Sequence, residues 1–258
     1  MLEGKTVVVA GVGTGLGGQI GRLAHRDGAN VVLAARTQEN LNAVADGISK
    51  NRDRIETVQA DITDEAQCLR LAEAANDRFG GIDGAVQVAA RDRIFGGLGE
   101  VTREEWMDAY ELGVIGSAQL VKAVTPAMKS RGGGSVVFIG SQSSFIPLVP
   151  QIAYASAKAA LSTAMYFMAK ELGPDNIRVN TVVATYMWGP PMENYVKESS
   201  EARGISEEEV VAEITCTMPL GRIPKDEEVA EAVLFFMSDR AASITGQHLL
   251  VNSGLQMR

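Results

Sequence analysis

Seven short apolar runs, rich in Val, Ile and Ala, recur along this chain with a helical stretch between each neighbouring pair, and that alternation leaves few folds open. Runs of this kind bounded by Gly, Asn or Asp read as strands, and strands that alternate with helices assemble as βαβ units around a parallel sheet. Strands are predicted over Thr6–Ala10, Asn30–Ala34, Ile55–Ala60, Gly84–Ala89, Gly134–Ile139, Arg178–Val183 and His248–Val251. Helices are predicted over Gly17–Asp27, Gln38–Asn51, Asp64–Phe79, Thr102–Lys129, Ala153–Leu172 and Asp226–Met237. No linker, low-complexity tract or short-period repeat divides residues 1–258, so an α/β fold with one domain is expected. The segment Tyr186–Arg222 interrupts the alternation, with adjacent prolines at Pro190 and Pro191 and a helical stretch near Glu207–Ile214. Long insertions of that kind often cover a site, so a substrate lid is expected at residues 186–222.

Composition excludes several classes of function. The chain has 24 basic and 32 acidic residues, a net charge of −8, and its Lys and Arg are spread rather than clustered, which argues against nucleic acid as a partner. No apolar run approaches the roughly 18 residues of a membrane span, and the start runs directly into a strand pattern without a signal peptide's apolar stretch; a cytoplasmic location is expected. Cys68 and Cys216 are too few for a disulfide framework and are read as small core residues. His25 and His248 are isolated and read as structural, and no metal site is expected.

Directly after the first predicted strand comes Gly11-Val12-Gly13-Thr14-Gly15-Leu16-Gly17, with the next helix opening from Leu16. Glycines there allow a tight turn and close approach to a pyrophosphate, and the helix N-terminus offers N–H groups and positive dipole to it. This context points to dinucleotide binding on a Rossmann-type doubly wound parallel sheet of about seven strands. Further along, Tyr154 and Lys158 stand four apart on a predicted helix and project from one face, so that the ammonium can lower the phenol's pKa and ready it for proton transfer. Ser141 lies thirteen residues before Tyr154, at a strand end. Hydride chemistry is the expectation.

The spacing Gly11-x-x-x-Gly15-x-Gly17, taken with Ser141, Tyr154 and Lys158, closely resembles the short-chain dehydrogenase/reductase family over essentially the whole chain. Ala60-Asp61-Ile62-Thr63, Ile177-Arg178-Val179-Asn180 and the closing segment from Ile244 to Gly254 resemble it too. The resemblance implies that Ser141 hydrogen-bonds the substrate oxygen, with Ser143 as second choice. Tyr154 then gives a proton to that oxygen as hydride arrives, or removes one during alcohol oxidation. Lys158 stabilises the phenolate and holds the nicotinamide ribose hydroxyls. The dinucleotide is expected against Gly11, Thr14, Gly15, Leu16 and Gly17, with Asp61 and Ile62 at the adenine edge and small Ala89 admitting the cofactor. Thr63 is expected to serve better than Asp61 as cap of the helix from Asp64. At the end of the second strand Ala35 stands where an acid would select NAD(H), and Arg36 is placed to pair with a 2′-phosphate. NADP(H) is therefore favoured, with NAD(H) left open, because Thr14 is neutral where NADP-dependent relatives often carry a second base.

Three places depart from the family pattern. Gly113 stands where an asparagine usually helps hold a water that links the lysine to solvent, which implies an altered proton relay. Val86-Gln87-Val88-Ala89-Ala90 replaces a segment with two asparagines, implying loss of a supporting hydrogen-bond network. Ala184-Thr185 replaces a proline–glycine pair beside the nicotinamide.

The segments expected to wall the pocket, Ser143–Gln151 and Tyr186–Tyr195, are apolar and aromatic, with Ser143, Tyr186, Trp188 and Met192 as candidate substrate contacts. Such a wall suits a bulky hydrophobic ketone or secondary alcohol of steroid, terpenoid or aryl type better than a sugar. Packing within the lid or at a subunit contact is the competing account of the same residues. A 3-oxoacyl-thioester reductase is an alternative, although the lid offers Lys197 and Arg203 and no clear basic patch for a carrier. A catalytically weak dinucleotide-binding sensor or interaction protein is the alternative from another class. The resemblance further implies a homodimer or homotetramer built through Thr102–Lys129 and Ala153–Leu172.

Overall fold

The computed structural model describes residues 1–257. The chain first runs β1 (Thr6–Ala10), α1 (Leu16–Arg26), β2 (Asn30–Ala35), α2 (Gln38–Ile48), β3 (Ile55–Gln59), α3 (Glu65–Phe79) and β4 (Gly84–Gln87). Next come α4 (Arg103–Tyr110), a π-helical turn Glu111–Gly116, α5 (Ser117–Ser130), β5 (Gly134–Ser141), α6 (Ile152–Leu172) and β6 (Ile177–Ala184). It closes through α7 (Pro190–Arg203), α8 (Glu207–Thr215), α9 (Asp226–Met237) and β7 (His248–Val251).

Valine-rich β1 is buried along its whole length, as a central strand covered on both faces must be. Its side chains alternate between two cores: Val7 and Val9 enter one, Val8 and Ala10 the other. β2 divides in the same way, Val31 and Leu33 against Val32 and Ala34. The first core is closed by α1, α2 and α9 through Ile20, Leu41 and Val229, the second by α3, α5 and α6 through Leu71, Leu120 and Leu161. One parallel sheet in the order β3-β2-β1-β4-β5-β6-β7 thus lies between two helical layers, a single domain. The winding reverses between β1 and β4, and in open parallel sheets ligands bind outside the carboxyl ends of the strands at that point. No helix among the described residues is long and apolar enough to cross a membrane.

Several predicted spans change. The single helix expected over Thr102–Lys129 is α4, a π turn and α5. Gly113, Val114, Ile115 and Gly116 are poor α-helix formers, and the Ser117 hydroxyl donates to the Gly113 carbonyl at 2.7 Å within the widened turn. Residues 186–222 hold a second helix, α7, beside the expected one. Pro190 and Pro191 read as breakers in sequence, yet they occupy the first helical positions, where a missing N–H leaves no bond unmade. β4 stops at Gln87, so Val88 and Ala89 lie beyond it, while β5 and β6 run on to Ser141 and Ala184. Asp64 and not Thr63 caps α3, its carboxylate accepting from the Gln67 N–H at 3.2 Å. Cys68 is buried as expected, but Cys216, at the end of α8, is exposed.

Candidate active site

The turn leaving β1 is pressed against the chain leaving β4, since the Val88 and Ala89 N–H groups donate to the Ala10 carbonyl at 2.8 and 3.2 Å. Gly11 has φ +100°, and a Cβ on it would lie 2.2 Å from the Ala89 nitrogen. A Cβ on Gly17 would lie 2.6 Å from the Gly11 carbonyl oxygen, so α1 can pack onto the turn only through glycine. Around Gly13 nothing stands within 4 Å of such an atom. α1 starts from Gly15 with no side-chain cap and no acid in its first turn, which leaves its leading N–H groups to an anion. Bare backbone, open space and a positive helix end fit the pyrophosphate of a dinucleotide. Leu16 is buried and offers only its main chain, and Thr14 is exposed.

At the adenine end, Arg36 is exposed just after β2 and its guanidinium makes no hydrogen bond or ion pair among the described residues; only its carbonyl is engaged, by Gln59 at 2.8 Å. Asp61 Oδ1 accepts from the Thr63 N–H at 3.0 Å and from the Thr63 hydroxyl at 2.8 Å, which fixes the carboxylate. Ile62 sends its side chain into the core and presents main chain.

Ser141 ends β5, and Tyr154 and Lys158 lie on the first turns of α6. A small cluster of Ile94, Ala109, Ala153 and Ala157 seats α4 against those turns. The Ser141 hydroxyl is hydrogen-bonded to that of Tyr154 and lies 3.0 Å from the Ser143 hydroxyl. Lys158 is buried, donates to the Ile139 carbonyl at 2.7 Å, and has its nitrogen 5.7 Å from the centre of the Tyr154 ring. The pKa values run against the expectation that the ammonium lowers the phenol. Burial pushes Tyr154 up to about 12, against the smaller opposing effect of the Ser141 bond, and burial pushes Lys158 down to about 8. Taking either charge out of water costs more than the pair recovers in this arrangement.

Sequence reading passed over Asp92, whose negative charge raises both pKa values. It belongs to the loop after β4, which is tied to α6 by Gln151 donating to the Asp92 carbonyl at 2.7 Å and by the Gly96 N–H donating to Pro150 at 2.6 Å. The triplet Arg91-Asp92-Arg93 directly beyond the fourth strand was the available signal. At the end of β4 the Gln87 side chain donates to the Ala89 carbonyl at 2.6 Å, while its Oε1 is buried without a partner. Ala184 pairs in register with Ser141 across β5 and β6. Of the candidate substrate contacts, Ser143 joins the Ser141 cluster and Tyr186 is partly buried. Trp188 and Met192 have evident structural ties: the Trp188 N–H donates to Pro224 at 2.7 Å and the Met192 N–H to Gly189 at 2.9 Å. His248 accepts or donates at 3.2 Å to the Tyr166 hydroxyl, away from this cluster, and no metal-holding group of His, Cys, Asp or Glu occurs among the described residues.

A family model described as enoyl-(acyl carrier protein) reductase matches residues 11–256. Dehydrogenase/reductase SDR family member 4 of Rattus norvegicus is 32% identical, over 100% of this chain and 89% of its own length. The 3-oxoacyl-(acyl-carrier-protein) reductase FabG of Vibrio cholerae is 30% identical over 99% of both chains. Among solved structures, a substituted actinorhodin polyketide ketoreductase with NADPH superposes with a TM-score of 0.88 at 27% identity, over 99% of both chains.

Proposed function

Because the chain belongs to the short-chain dehydrogenase/reductase family of oxidoreductases, we propose that it interconverts a hydrophobic ketone and its secondary alcohol with NADP(H). The observation that carries the reading is the Ser141–Tyr154–Lys158 group, with the serine hydroxyl bonded to the phenol and the buried lysine nitrogen 5.7 Å from its ring centre. A phenol that stays neutral at physiological pH is a proton donor, the form needed when a carbonyl oxygen gains negative charge. Reduced nicotinamide, when bound, supplies the hydride. Ser141 orients the carbonyl oxygen, Tyr154 passes its proton to that oxygen, and Lys158 offsets the phenolate left behind. Ala35 and the unpaired Arg36 support NADP(H), since a 2′-phosphate meets no acid there and finds a guanidinium. Tyr186, Trp188 and Met192 supply an apolar wall over the reacting carbon in this reading.

A 3-oxoacyl thioester is the second substrate class, supported by the likeness to the Vibrio cholerae reductase. Against it, Arg203 is engaged by Glu213 at 2.6 Å, which leaves Lys197 as the lid cation of the two without an ion pair among the described residues, too little for a basic patch that would greet a phosphorylated carrier. The test is initial rates with NADPH and NADH on steroid, terpenoid, aryl and acyl-thioester ketones. Tyr154→Phe is expected to slow reduction by about 10²-fold or more with dinucleotide binding retained. Arg36→Ala is expected to weaken NADPH about tenfold and leave NADH unchanged. Dinucleotide binding without reduction of any ketone would sink the enzyme reading in favour of a sensor, and turnover of thioesters alone would make the second class the right one.

A further inference from the structure

α9 opens on an acid that no basic side chain pairs with. Asp226, its first residue, is 7% exposed, and no hydrogen bond or ion pair reaches its carboxylate among the described residues. Its neighbours on the helix are matched elsewhere: Glu227 with Arg22 at 3.0 Å, Glu228 with Arg222 at 2.6 Å and Glu231 with Arg26 at 2.9 Å. The three arginines of this region therefore serve exposed acids and leave the buried one alone. Main-chain bonds fix its place, the Asp226 N–H donating to Trp188 at 3.2 Å and the Trp188 N–H to Pro224 at 2.7 Å.

The carboxylate fills space that two glycines leave. A Cβ on Gly189, the N-cap of α7, would lie 2.3 Å from Asp226 Oδ2, and one on Gly15, the N-cap of α1, would lie 3.3 Å from it. Asp226 thus stands where the N-termini of α1, α7 and its own helix meet, on the rim of the turn that fits a pyrophosphate. The helix ends there carry only partial positive charge, so a carboxylate and a pyrophosphate sharing this partly dry site still repel each other. Protonating the carboxyl removes the repulsion and supplies an O–H that can donate to a phosphate oxygen.

We propose that Asp226 is a proton-linked residue of the dinucleotide site, so that the pyrophosphate is held against the neutral carboxylic acid and each dinucleotide enters with the uptake of one proton. This rests on the dinucleotide-dependent reading above. The charges around Asp226 agree with it. Glu193 on α7 adds to burial in raising its pKa to about 6, Lys225 precedes it in sequence, Arg22 on α1 is engaged by Glu227, and the first turn of α1 holds no acid. The bound anion raises the pKa further, and between its free and bound values the dissociation constant grows by up to about tenfold per pH unit.

The test is the Kd of NADH, whose pyrophosphate does not titrate in the range, measured by nicotinamide fluorescence from about pH 5.5 to 8.5. Calorimetry in two buffers of different ionisation enthalpy counts the protons taken up. Uptake approaching one proton near neutral pH is expected for the parent. Asp226→Asn is expected to bind NADH with no uptake, with a Kd flat in pH and about tenfold tighter than the parent one unit above its pKa. An equal pH slope in parent and variant, or binding by the parent without proton uptake, overturns the proposal. So does a parent Kd indifferent to pH that tightens with added Mg²⁺, which makes a divalent cation the counter-charge. Should the variant not fold, carbon NMR of the parent's Asp226 carboxyl decides: its titration must move upward when NADH is added, and an unmoved titration overturns the proposal. Failure of NADH and NADPH to bind at any pH overturns the dinucleotide-dependent reading as well, whereas binding without proton linkage overturns this inference alone.

Discussion

Lys158 and Tyr154 are drawn toward their neutral forms by the same burial, and this sets how the site should respond to pH. A lysine whose pKa is lowered to about 8 loses its charge as pH rises through that value, while a phenol near 12 keeps its proton throughout. Under the proposed mechanism the reductive rate is expected to be level below the lysine pKa and to fall above it. The Asp92 charge holds the lysine pKa up, so Asp92→Asn is expected to move the falling limb to lower pH. A pH–rate profile of both proteins checks this, and an unmoved limb would remove Asp92 from the account. The spacing of Tyr154 and Lys158 was visible in the sequence, but the direction of their shifts was not. It is set by burial, which comes from the packing of distant elements around the first turns of α6 and cannot be read from one helix's pattern.

Two glycines on different elements have opposite tolerance. Gly11 is held at φ +100° with the Ala89 main chain where a side chain would go, so Gly11→Ala is expected to cost about 3 kcal/mol or more, read as a lower denaturant midpoint. Gly113, in the π turn, has room for a Cβ, which would meet the Ala157 Cβ at 3.5 Å, an ordinary contact. Gly113→Ala is therefore expected to fold with stability within about 1 kcal/mol of the parent, and thermal unfolding checks it. The strand–helix alternation was legible because buried parallel strands must be apolar on both faces, and Asp226–Met237 and Thr6–Ala10 fall on the predicted residues. What escaped were features set by position rather than composition: α7 behind Pro190 and Pro191, the π turn inside a helical pattern, and Asp226, which in sequence is one acid of an acidic first turn. Only the fold shows that its neighbours turn outward to arginines while it turns in.

At the scale of the molecule, apolar side chains remain in the open on two of the outer helices. Phe167 and Tyr166 of α6 are 71% and 51% exposed, and Met107 of α4 is 54% exposed. These are the helices through which self-association is expected, so Phe167→Glu is expected to lower the mass in solution, read by light scattering, without disturbing α6. The sheet order carries a consequence for how the chain is made. β1 lies between β2 and β4, so its first edge can be satisfied as soon as β2 leaves the ribosome, while its second must wait for residues 84–87. Through that interval the nascent chain holds out an unpaired, valine-rich strand edge, a template for another copy of itself. Translation speed across α2, β3 and α3 therefore bears on yield, and a pause placed after β4 is safer for this protein than one placed before it.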